Sequence, residues 1–308
     1  MHRRLLITGI VLALAGALVY GCSKSPTAPA APTTDNGQVS NLLTQAASLV
    51  DDQLAEDNSQ VVASALRESG GLYSAQAAVK PFAWWQNITG ETRTWSFAFA
   101  DTDTTGHPTT CVATLSKHMT GTLVIIPVSP ADSTQADTSR IDKPIDKTLT
   151  RKVMLKRMTL AGEHVWRVTE VSGAFVTTPG SSVDIMSLHI HSSSGVDTTI
   201  TDPLQWNSLR HVLAFTTSDT VTVTATTSHT DDAVYIHRWD WRHRLRSNGD
   251  GTYTFSWVTS TWSGWRHFGI QAMTHGSIYD DTAPFDMEAW HMPFRVVGQQ
   301  SAVDYYPQ

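Results

Sequence analysis

ETRTWSFAFAD, residues 91–101, carries a ring at every second position near its end. Trp95, Phe97 and Phe99 fall on one side of an extended chain and Thr94, Ser96 and Ala98 on the other, because successive side chains of a strand point to opposite faces. A helix would scatter the three rings around its axis. The stretch predicts a half-buried β-strand, and the period changes on its upstream side. There Val39, Leu42, Leu43, Ala46 and Val50 recur at spacings of three and four, leaving Asn41, Gln45, Ser48 and Asp52 opposite, which predicts an amphipathic helix. Residues 60–68 repeat that spacing with Val61, Val62, Ala65 and Leu66, and Gly70 and Gly71 end it. The AEDNSQ interval between the two runs, residues 55–60, reads equally as helix or break.

Downstream the period of two persists. CVATLSKHM (111–119), GTLVIIPV (121–128), TRKVMLKRM (150–158) and HVWRVTEV (164–171) are strand candidates, with a hairpin turn at 161–163 and a long polar loop at 129–144. Helix followed by strand meander predicts an α+β body over residues 38–178, its helix packed on an antiparallel sheet. KRMTLAGEHVWRVTEV, residues 156–171, is similar to the closing hairpin of nuclear-transport-factor-2-like or cystatin-like domains.

From residue 182 the chain is rich in threonine and wholly β in pattern. Met186, Leu188 and Ile190 alternate with His189 and His191, Val221, Val223 and Ala225 with threonines, and Tyr253, Phe255 and Trp257 with Thr254 and Ser256. Phe268, Ile270 and Ala272 follow, then Trp290, Met292, Phe294 and Val296. Strands at this spacing, parted by turn clusters such as SNGDG, predict a β-sandwich over residues 182–298, with a tail at 299–308. The order and the element NGDGTYTFSW (248–257) resemble bacterial immunoglobulin-like or fibronectin-type-III-like domains, without the antibody cysteine pair. The fold class expected is therefore mainly β, an α+β domain followed by an immunoglobulin-like sandwich.

The chain begins with Arg3 and Arg4, an uncharged apolar run over residues 5–20, and Gly21, the layout of a secretory leader over residues 1–21. Val19, Tyr20, Gly21 and Cys22 resemble the bacterial lipobox. That resemblance implies thioether diacylation of Cys22, cleavage before it and acylation of the new amino group, and Ser23 in place of an aspartate implies the outer membrane. Multiple acyl chains anchor firmly, each buried methylene contributing about 0.8 kcal/mol. Residues 22–37, with Pro26, Pro29 and Pro32, then form a semi-rigid tether.

Of 308 residues, 41% are hydrophobic and 16% charged, enough for a sizeable core and against global disorder. The formal charge of -6 becomes -8 once Arg3 and Arg4 leave with the leader, a poor match to nucleic acid, which demands clustered cations. With Cys22 acylated, Cys111 has no partner and reads as a small core residue. Asp231, Asp232, Asp250, Asp280 and Asp281 gather at one pole of the sandwich if residues 233–247 form two strands, and disperse if they form one. Gathered, they are candidate ligands for calcium, although aspartate is also the commonest turn residue. DTDTTG (101–106) reads as a plain hairpin connection, and His189 with His191 as a metal half-site lacking an identifiable third ligand, to which His237, His243, His267 and His291 add only scattered candidates. Trp262 and Trp265, in STWSGWRH, are candidate platforms for a sugar ring. The motifs of nucleophilic, zinc-dependent or phosphate-cradling enzymes are absent, and Glu163 and Glu170 have no visible acidic partner.

The expectation is an acylated outer-membrane protein with a non-catalytic binding or structural role and no resident cofactor, its partners the bilayer and an envelope protein or glycan. The alternative is an envelope enzyme or carbohydrate-binding accessory protein with a cleft in or beside the first domain.

Overall fold

The computed structural model describes residues 34–50, 53–62, 78–131, 134–160, 163–238 and 241–298. The leader, Cys22, most of the tether and the tail lie outside them. Helix α1 (Asp35–Gln45) begins upstream of the first apolar residue, where the hydroxyl of Thr34 accepts from Gly37 N. It is followed by α2 (Ala47–Val50) and a 3₁₀ turn at Gln53–Glu56, so AEDNSQ breaks the helix. Strand β1 (Val61–Val62) pairs antiparallel with the next strand, which corrects the expected helix at 60–68; the remainder of that segment lies outside the described residues.

Period-two patterning becomes four long antiparallel strands: β2 (Pro81–Thr102), β3 (Pro108–Pro127), β4 (Ile141–Leu160) and β5 (Glu163–Thr177). Two candidates merge into β3, and β4 starts inside the segment expected to be loop. Valines, leucines and Cys111 on their inner face pack against Val39, Leu43, Leu49 and Val50 of the helices. Next come β6 (Ile185–Ser192), β7 (Asp197–Ile200), β8 (Asn207–Ser208), β9 (Leu213–Thr216) and β10 (Thr220–Thr227). The chain continues through β11 (Ala233–Arg238), β12 (Trp241–Arg244), β13 (Arg246–Ser247), β14 (Thr252–Val258), β15 (Gly264–Met273), a short helix α3 (His275–Tyr279) and β16 (Met287–Val297).

The protein is mainly β, and its strands form two sheets. The larger runs β1-β2-β3-β4-β5-β16-β15-β11-β12, so strands from both halves of the sequence share one sheet through the pairing of Phe175 with Trp290. It curls until its two ends meet in a nearly closed barrel. Trp84 of β2 and Tyr235 of β11 stand edge to face at 4.9 Å, and the indole donates a 3.3 Å hydrogen bond to the phenol. The smaller sheet, β13-β14-β10-β6-β7, covers the outside of β11, β15 and β16. Those three strands are consequently buried on both faces: Val234, Ile236, Phe268, Ile270 and Trp290 meet the small sheet, while Ala233, Tyr235, Met273 and Ala289 look into the barrel. Met186, expected in the core, is 52% exposed; the pairing of β6 with β10 slips by one residue at Thr227 and gives Ile185 the inward place. Among the described residues no helix is long and apolar enough to cross a membrane.

Candidate functional site

The inner face of β4 reads Ile141, Lys143, Ile145, Lys147, Leu149, Arg151, Val153 and Leu155, placing three cations in one row with the aliphatic core. A charge taken out of water must find hydrogen-bonding counter-groups or shift toward its neutral form. Both happen here.

Lys147 Nζ donates to Ala55 O at 2.6 Å and to Gln86 Oε1. Arg151 Nη1 donates to Val50 O at 3.1 Å. Lys117 of β3 pairs with Glu56 and stands 3.8 Å from Glu91. His237 of β11 meets the carboxylate of Asp57, and Arg242 of β12 donates to Asp57 O at 3.4 Å. The Arg242 guanidinium also lies 4.9 Å from the centre of the Trp84 ring. Its Nε and Nη1 reach no hydrogen-bond acceptor, and the ring face is the group that stabilises the charge there. Lys143, nearer the end of the barrel, donates to Gly276 O at 2.9 Å and to Asp280 O.

Burial, reinforced by the charge of Arg242, pulls the Lys147 ammonium down to about 7. The same two causes outweigh the attraction of Asp57 and push His237 down to about 4, so near neutral pH its ring is uncharged and donates from Nε2. Burial raises the Asp57 carboxyl, but hydrogen bonds from His237 and Ser59 more than reverse this and hold it below the usual carboxylate range. Burial also draws Lys143 down to about 8. A neutral amine and a neutral imidazole are forms in which side chains act as bases. The space beside them, however, is a cavity of about 10 Å³ among Leu54, Ala55, Gln86, Lys147, His237 and Gln271, room for one water at most.

The acidic residues singled out from the sequence are placed as follows. Residues 233–247 do divide, into β11 and β12 with β13, which puts the loops bearing Asp231, Asp232, Asp250, Asp280 and Asp281 at one end of the strands. Their carboxylates serve their own loops: Asp250 accepts from Thr252 N at 3.0 Å, and Asp280 from Thr282 N at 2.8 Å. Asp232 is buried, which raises its carboxyl, and lies 3.5 Å from His229 Nδ1. Asp231 and Asp281 are exposed. His189 meets Asp197 at 2.8 Å and His191 approaches the same carboxylate at 3.8 Å, on an open sheet face. Among the described residues no three His, Cys, Asp or Glu side chains are grouped to hold a metal ion.

Asp103 closes the β2–β3 turn by accepting from Thr105 N and His107 N. Cys111 is fully buried and its thiol is pushed up to about 11 by burial. Trp262 is 77% exposed, whereas Trp265 is partly buried against the core beneath the helices.

Lys117, Lys147, Arg151 and Arg242 were not singled out from the sequence, nor were Glu56 and Asp57; His237 stood there only as one of several scattered candidate ligands. One signal was available: lysine and arginine standing in series with isoleucine and leucine at every second position from Ile141 onward. Comparison with protein-family models, curated proteins and solved structures finds no match to this chain.

Proposed function

We propose that the chain is a lipid-anchored envelope protein that binds or braces other envelope components without catalysing a reaction. One observation carries this reading: inside the barrel Lys147, Arg151, His237 and Arg242 hydrogen-bond to Val50, Ala55, Asp57 and Gln86, around a cavity of about 10 Å³. An active site needs converging groups and space for a substrate beside them. Anchoring rests on the lipobox resemblance at Cys22, with residues 22–37 as spacer.

In the same reading the chain divides into an α+β body at 38–178 and an immunoglobulin-like sandwich at 182–298. The helices packed on β2–β5 support the first part, and the small sheet packed on β11, β15 and β16 supports the second. A second role, glycan binding by the sandwich, is favoured by the exposure of Trp262.

Mass spectrometry of the protein from its native membrane tests the anchor. A diacylglyceryl thioether on an amino-terminal Cys22 is expected, and an unmodified terminus or an uncut leader overturns it. Retention on insoluble glycans that is abolished by Trp262→Ala is expected for the second role; no retention across a broad panel removes it.

A further inference from the structure

We infer that the cavity inside the barrel is a binding site for a single chloride ion, held by Arg242 and Lys147. Arg242 carries the argument: it is 4% exposed, and its Nε and Nη1 are buried without an acceptor. The third nitrogen, Nη2, donates to Asp57 O at 3.4 Å, near the outer limit of hydrogen bonding. The Trp84 ring attracts the charge but does not replace an acceptor at the other two nitrogens. Lys147, 2% exposed, is a second basic group on the wall of the same space.

The acceptors that these two side chains have are neutral: Ala55 O and Gln86 Oε1 for Lys147, and Asp57 O for Arg242. The nearby carboxylates bond to other groups. Asp57 accepts from His237 and from the amide and hydroxyl of Ser59, and Glu56 pairs with Lys117. His237, uncharged near neutral pH, adds nothing to the attraction for an anion. One small space is thus faced by a guanidinium with two open N–H groups and by an amine. An anion placed there would supply the missing acceptor and neutralise the buried charge, whereas a water would supply the acceptor alone.

The space selects the anion. A volume of about 10 Å³ excludes phosphate, sulfate and carboxylates. Chloride is little larger than the one water that fits, and the flexible ends of Lys147 and Gln86 can supply the difference. Leu54, Val176, Met287 and Ala289 make up the apolar part of the wall, contacts that a singly charged, monatomic ion tolerates better than a strongly hydrated one.

This inference goes beyond the reading of the chain as an anchored binding protein and does not depend on it. The test is thermal unfolding of the full chain in detergent solution, with chloride exchanged for gluconate at a constant ionic strength of about 0.15 M. Relative to Arg242→Gln, which shares the non-specific effects of the two salts, the unaltered chain is expected to gain about 2–4 °C from chloride, because a ligand of the native state stabilises it by mass action. The titratable and charged groups around Lys147 are Glu56, Asp57, His237, Arg242 and His291. The gain should be larger at pH 6, where Lys147 is charged, than at pH 9, and Lys147→Met should remove that difference. Equal gains in the unaltered chain and Arg242→Gln overturn the proposal, and a pH dependence that survives in Lys147→Met overturns the part given to Lys147. Should Arg242→Gln not fold, crystals grown in sodium bromide decide the matter. An anomalous peak within hydrogen-bond reach of Arg242 Nε or Nη1 is expected, and a cavity holding water alone overturns the assignment.

Discussion

Replacing Lys147 by methionine isolates the energetic consequence of a lysine buried in the barrel wall. In the unfolded chain its ammonium titrates near 10.5, and in the native protein near 7, chiefly because burial disfavours the charge. Between those values the unfolded chain holds a proton that the native chain has given up, so native stability rises with pH. The limiting slope is about 1.4 kcal/mol per pH unit, on the order of 5 kcal/mol across the whole window. Above the window neither state carries the proton, and below it both do, so the contribution is flat on either side.

Methionine preserves most of the volume but leaves Ala55 O and Gln86 Oε1 without this donor, a cost of about 1–3 kcal/mol that does not depend on pH. Lys143 titrates natively near 8 in both chains and cancels in the difference. Urea unfolding followed by tryptophan fluorescence at pH 7.5, 8.5 and 9.5 gives that difference directly. The unaltered chain should gain about 1 kcal/mol per pH unit over Lys147→Met. Parallel stability profiles would refute the argument, because they would mean that Lys147 keeps its charge on folding.

Asp57→Asn should lower unfolding stability by about 2–3 kcal/mol at pH 7, less than a fully buried pair would lose, because the aspartate side chain is 20% exposed. Since folding depresses the Asp57 carboxyl, that stabilisation is present above its unfolded value of 3.8 and disappears as pH falls further. Denaturant midpoints at pH 7 and pH 3 check both statements. A Cβ added at Gly269 would stand 2.6 Å from the ring of His291 on the neighbouring strand, so Gly269→Ala should cost about 1–3 kcal/mol, visible as a lower melting temperature. Cys111, buried and with its thiol held near 11, should resist a disulfide reagent in the native protein and react fully in guanidinium. Trp262→Ala should change stability by less than about 0.5 kcal/mol, since the ring is 77% exposed.

Much of the fold was legible because a strand with one apolar face announces itself. The rings of ETRTWSFAFAD, the series Val221, Val223 and Ala225, and the run from Trp290 to Val296 all lie on the faces their spacing assigns. Turn residues likewise acted where they stood: Asp103, Asp250 and Asp280 hold their own loops through local hydrogen bonds. Met186 departed from its series because a slip in strand pairing depends on the partner strand, which the local pattern does not contain.

The candidate site was illegible for a different reason. His237, Gln271 and His291 alternate with apolar neighbours, as residues on a water-facing strand surface would. The pattern records which side of a strand is polar and is silent on what that side meets. Curling of the large sheet turned those polar sides inward, and Val50, Ala55 and Asp57, remote in sequence, meet Arg151, Lys147, His237 and Arg242 there. By itself the sequence determined where strands run, which of their faces are apolar and which loops are closed by aspartate, because these depend on neighbours a few residues apart. Only the tertiary structure decided that strands of both halves share one sheet and that its inward-facing basic side chains meet Glu56 and Asp57, because those relations follow from long-range pairing and closure.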